Sequence, residues 1–152
     1  MGAQAMNGTA LKTAILLIGH GSPRPEVKSA FGAIAEMVRV AGDNELVEVA
    51  FLSGGEPSID SGIDRCVAQG ARRIVLCPYF LFAGKHVSND LPATITGAGQ
   101  RHPEVELLLA EPLGVHIKLA EVACERIAEV LSKSAGIGES SGLDGSRNET
   151  VE

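Results

Sequence analysis

Four short apolar runs alternate with four stretches of helical periodicity, and this alternation restricts the chain to very few folds. Thr13–Gly19, TAILLIG, is apolar almost throughout over the length of one strand, as a strand covered on both faces requires. After Pro23 and Pro25, the residues Val27, Phe31, Ile34 and Val38 recur at steps of four, three and four. That spacing lines one face of a helix, which Gly42 can end. Leu46–Leu52 reads as a second strand, and a second helix begins near Pro57 with Ile59, Ile63 and Val67 before Gly70. Arg72–Cys77 supplies a third strand. A short helix then follows, capped by Ser88 or Asn89 and entered through Asp90-Leu91-Pro92. Val105–Ala110 is the fourth strand. The last helix spans Val115 to Leu131, with Ala120, Ala123, Ile127, Val130 and Leu131 expected to face inward.

Strand and helix in strict alternation imply an α/β fold, one four-stranded parallel sheet with helices on both faces. At 152 residues this is a single domain, residues 13–133, with a flexible segment over 1–12. Residues 134–152 are rich in Gly and Ser, acidic and aperiodic, and read as a disordered tail. Open parallel sheets bind ligands beyond the carboxyl ends of their strands, near a switch in strand order. The loops after strands one, two and three carry His20, Glu56 and His86. A strand order of 2-1-3-4 makes strands one and three neighbours and brings the two histidines together.

Neutral imidazole suits first-row divalent metals, and a site with few ligands can release its ion again. Gly19 and Gly21 beside His20 let a bulky ligand approach the backbone. Glu56, just ahead of Pro57, reads either as a complement to the helix N-terminus or as a proton acceptor. His116, at the start of the last helix, reads as structural. Other chemistries lack their motifs: the sequence contains no P-loop, no H-E-x-x-H and no complete G-x-G-x-x-G.

A formal net charge of -6 disfavours nucleic acid and anionic membrane as partners. The three cysteines, Cys66, Cys77 and Cys124, form no C-x-x-C pair and point to buried thiols in a reducing compartment. The N-terminus lacks the pattern of an export signal and no apolar stretch is long enough to span a bilayer, so the expectation is a cytoplasmic protein.

The blocks LIGHGS, FLSGGEPSI, PYFLFAGKHVSNDLP and PLGVH, in this order, resemble the short form of the class II tetrapyrrole chelatases, the sirohydrochlorin cobaltochelatase/ferrochelatase family. The resemblance covers about Thr13 to Leu131. It implies the chelatase-like fold and ATP-independent insertion of Co²⁺, Fe²⁺ or Ni²⁺ into sirohydrochlorin, for cobalamin or siroheme, with no organic cofactor. It also implies His20 and His86 as metal ligands, Glu56 as the family's acidic residue, and a homodimer with a shared cleft. Ser53-Gly54-Gly55 departs from the family, which carries bulkier residues before the Glu-Pro. Since sirohydrochlorin is ringed by carboxylates, an acidic chain needs local donors for it. Ser22, Arg24, Lys85 and Ser88 are the candidates, and a flat wall is available among Tyr79, Phe80, Leu81 and Phe82. A carrier of metal or tetrapyrrole that performs no chemistry would use the same two histidines.

Overall fold

A computed structural model describes residues 10–138, which fall into two units divided after Gly114. The first holds β1 (Thr13–Gly19), α1 (Pro25–Ala41), β2 (Leu46–Phe51), α2 (Ile59–Ala68), β3 (Arg73–Pro78), α3 (Lys85–Arg101) and β4 (Glu106–Leu109). The four strands are parallel in the order β2-β1-β3-β4. The expected sheet is therefore the one found, and β1 and β3 are neighbours in register from Thr13 beside Arg73 to Ile18 beside Pro78.

Alternation along β1 divides the core. Ala14, Leu16 and Ile18 face α2 and α3, where they pack with Ile63, Cys66, Ile74, Leu76, Leu91 and Ala98. Leu17 faces the other way, toward α1, and packs with Phe31, Ala35 and Phe51. Each fully buried aliphatic side chain contributes about 1.5–3 kcal/mol relative to exposure. The sheet therefore needs both layers, and helices lie on both faces as expected. On the α2 side the approach is close: a Cβ on Gly62 would stand 2.8 Å from Leu16 Cδ1.

α2 starts at Ile59 rather than beside Pro57, because the Ser58 side chain caps it by accepting the Ser61 N–H at 3.2 Å. The larger departure is α3. It is not a short helix begun at Ser88 or Asn89 but a 17-residue one starting at Lys85, with Pro92 in its interior. Val87, Leu91, Ile95 and Ala98, at steps of four, four and three, form a stripe packed on the sheet. That burial outweighs the cost of a proline within a helix. At the other end of α3, Arg101 Nη2 lies 2.7 Å from Asp60 Oδ1, and His102 Nε2 lies 2.7 Å from Asp64 Oδ1, joining α3 to α2.

The second unit is α4 (Ile117–Gly138) with its lead-in. It runs past Ser134, where the sequence suggests a disordered tail; residues 139–152 of that tail, and 1–9 of the N-terminal segment, lie outside the described residues. Among the described residues of this unit the helix has nothing to pack against, so the burial expected of Ala120, Ala123, Ile127, Val130 and Leu131 is not found in this unit. His116 Nδ1 accepts the Lys118 N–H at 3.2 Å, a structural contact at the start of the helix. Among the described residues no helix is long and apolar enough to cross a membrane.

Candidate functional site

The carboxyl end of β1 is tied to both neighbouring strands just where the chain leaves the sheet. The Tyr79 N–H donates to the Ile18 carbonyl at 2.7 Å, the Leu52 N–H to Gly19 at 3.0 Å, and the Ser53 N–H to His20 at 3.1 Å. Gly21 makes the last of these contacts possible. Its φ is 102°, and a Cβ there would sit 1.7 Å from the Ser53 carbonyl oxygen. No side chain fits that position. His20 is thus held by its own backbone, and its ring rests on buried Phe80, with centroids 4.9 Å apart and tilted by 42°.

His20 borders two cavities. Toward α1 lies an apolar cleft of about 290 Å³ lined by Val27, Phe31, Ile34, Phe51 and Tyr79. Phe31 shapes this cleft by packing at 5.6 Å from Phe51 and 5.7 Å from Tyr79, ring centre to ring centre. Toward α3 lies a second cavity of about 240 Å³, where Ser53, Asp90 and Thr94 join His20 over apolar walls from Leu52, Ile59 and Leu91.

His86 is the second residue of α3 rather than part of a preceding loop, and Asp90 follows one helical turn later. β1 and β3 are adjacent, so the His20 loop and the segment leading to α3 leave the sheet side by side. Glu56 has a local partner: its Oε2 accepts the Ser58 N–H at 3.0 Å, just ahead of α2. The β2 loop instead contributes Leu52 and Ser53 to the cavity beside His20.

The proposed substrate donors differ in their engagements. Ser22 Oγ accepts the Arg24 N–H at 3.2 Å. Arg24 pairs with Glu26 at 2.6 Å, and Glu26 is held below the usual carboxylate range first by a backbone hydrogen bond and then by Arg24. Ser88 Oγ donates to the Gly84 carbonyl at 3.1 Å, and Ser88 also lines a separate cavity of about 220 Å³ with Pro78, Ala83 and Leu109. Lys85 is the first residue of α3, where a cation is disfavoured by the helix dipole unless an anion joins it. Of the suggested wall, Tyr79 lines the apolar cleft and Phe80 backs His20, while Leu81 and Phe82 are exposed. Ser53, Asp90 and Thr94 were not among the site residues expected from the sequence. The signal for Asp90 was its spacing of four from His86, hidden by starting the helix too late.

An open parallel sheet that brings one histidine from the β1 loop and a second from the helix after the adjacent strand to one rim defines a class: α/β proteins with a ligand site at their strand ends. The particular family follows from comparison with known proteins. The CbiX family model matches residues 14–130. The chain is 34% identical to the chloroplastic sirohydrochlorin ferrochelatase of Arabidopsis thaliana over 86% of its length and 58% of that protein's. It is 31% identical to the sirohydrochlorin cobaltochelatase of Methanopyrus kandleri over 79% of its length and 98% of that protein's. Among solved structures, the sirohydrochlorin chelatase SirB of Bacillus subtilis subspecies spizizenii, in complex with cobalt, superposes with a TM-score of 0.73 at 29% identity. That match covers 79% of this chain and 51% of SirB. The chain therefore spans about half the length of several relatives and nearly all of the archaeal one. It belongs to the CbiX family.

Proposed function

We infer that this chain inserts a divalent metal into sirohydrochlorin. The observation that carries this reading is the fixed His20 at the mouth of an apolar cleft, with His86 on the helix following the neighbouring strand, in a chain of the CbiX family. The reaction exchanges M²⁺ for two pyrrole protons. His20 and His86 hold the incoming ion through neutral nitrogens. As the pyrrole nitrogens take the ion over, each imidazole nitrogen is freed and can accept one of the departing protons, which water then removes.

The cleft toward α1 carries no charged side chain among its lining residues and offers Tyr79 and Phe31 as surface for the macrocycle. Lys85 at the start of α3, with Ser22, Arg24 and Ser88, serves the peripheral carboxylates. Its unfavourable position on the helix dipole supports that role, since an arriving carboxylate offsets it. Glu56, whose carboxylate accepts the Ser58 N–H, serves as the partner in proton removal or metal orientation. Co²⁺ and Fe²⁺ are the substrate metals named among the relatives' activities, and imidazole ligands also accept Ni²⁺. The reaction runs without ATP or an organic cofactor, in keeping with the missing P-loop. The functional form is a homodimer with a cleft shared between subunits, as the resemblance to the short-form chelatases implies. Three unpaired thiols suit a cytoplasmic setting.

The test is anaerobic addition of Co²⁺, Fe²⁺ or Ni²⁺ to metal-free sirohydrochlorin with catalytic amounts of protein, followed by visible spectroscopy. His20→Ala and His86→Ala should each slow metallation by about 100-fold or more. Pigment binding without metallation above background would replace this reading by that of a carrier.

A further inference from the structure

The two cavities that share His20 differ in charge. Both line the same imidazole, but only the one toward α3 contains an acid, Asp90, together with the hydroxyls of Ser53 and Thr94. Resting on the metal-insertion reading above, the two substrates differ in charge in the same sense. The macrocycle is a polyanion, and the ion is a hydrated dication.

A carboxylate in the cavity beside His20 repels the macrocycle's periphery and attracts the ion. Among the described residues Asp90 is the one acid that lines either cavity. Asp90 also stands one turn along α3 from His86, and residues four apart share a helix face.

We propose that the cavity lined by His20, Ser53, Asp90 and Thr94 is the entry site of the divalent ion, and that Asp90 receives it there. Asp90 accepts hydrogen bonds from the ion's water shell, or takes a place in that shell directly, while Ser53 and Thr94 hold the remaining waters. The ion passes from this side to His20, and the macrocycle meets the same imidazole from the apolar side. The two substrates thus reach one residue without crossing.

The experiment measures steady-state metallation with Co²⁺ and sirohydrochlorin varied separately, alongside binding of Co²⁺ alone by calorimetry. Asp90→Asn keeps shape and removes charge; Glu104→Gln, an exposed acid before β4, removes the same charge elsewhere. Asp90→Asn should raise the KM for Co²⁺ and weaken Co²⁺ binding about 10-fold or more. The KM for sirohydrochlorin should stay the same or fall, and Asp90→Glu should recover part of the loss. Glu104→Gln should behave as wild type. A Co²⁺ KM and affinity in Asp90→Asn no different from Glu104→Gln would overturn the proposal, as would a loss confined to the sirohydrochlorin KM. Wild-type protein that binds Co²⁺ but metallates nothing would sink the reaction instead, and the calorimetric comparison would still decide on Asp90.

Discussion

The two faces of the sheet are built from different materials. Against α2 and α3 the core is mainly aliphatic and closely packed, with Leu16, Ile18, Ile63, Cys66, Ile74 and Leu76 fully buried. Against α1 it is aromatic, with Phe31, Phe51 and Tyr79 in tilted contact, and it opens at its upper edge into the cleft beside His20. Small aliphatic side chains let helices approach closely, as Gly62 does against Leu16. Aromatic rings fill the wider space under one helix and leave flat surface at its margin. The closely packed face holds most of the fully buried core, and the aromatic face leaves flat surface beside His20.

Gly21→Ala should be the most damaging way to blur this distinction, because it disturbs the junction of both faces. The new methyl group would collide with the Ser53 carbonyl at a backbone angle that disfavours side chains. Destabilisation of about 4 kcal/mol is expected in denaturant unfolding, from strain and overpacking together, with metallation lost even where the protein still folds.

A paired substitution then tests the division of labour. Ile63→Ala, on the closely packed face, should cost about 3 kcal/mol of stability and leave the KM for sirohydrochlorin unchanged. Phe31→Leu, on the open face, should cost only about 1 kcal/mol, yet raise that KM severalfold because the ring lines the cleft. If both variants changed stability and KM in the same proportion, the faces would not have separate roles.

The smallest effect concerns pH. Burial pushes the Cys66 thiol up to about 12, with Glu48 adding to the shift. In the unfolded chain the thiol ionises near its ordinary value of 9.0, so between these values the folded state retains a proton that the unfolded state loses. The contribution to stability is complete below pH 9 and is lost as pH rises toward 12. Compared with Cys66→Ala, wild-type protein should lose up to about 1.4 kcal/mol more per pH unit above 9. Guanidinium unfolding at several alkaline pH values reads the difference.

The sheet was legible in the sequence because a parallel strand buried on both faces is an uninterrupted apolar run, and β1 begins and ends where TAILLIG does. His20 was legible for the same reason: it follows that run directly. The start of α3 was not, since proline has a strong local preference for a first turn. What overrides it is the Val87, Leu91, Ile95 and Ala98 stripe, whose partners are other segments. Misplacing that start put His86 in a loop and separated it from Asp90. Ser53 stayed hidden for a related reason. It looks like a loop serine until the hydrogen bond from its N–H to the His20 carbonyl brings the β2 loop beside β1.

The clasp at the end of α3 has a mechanical consequence. Arg101 and His102 fasten that end to Asp60 and Asp64, whereas the opposite end begins at Gly84 with no side-chain cap. Fifteen residues of helix separate His86 from Arg101, roughly 22 Å of rod at 1.5 Å per residue. Pivoting the rod by about 5° around the clasp would swing the His86 backbone by about 2 Å, comparable to a metal–nitrogen bond. Small rotations at a fixed hinge are therefore magnified at the histidine, and α3 has the proportions of a lever.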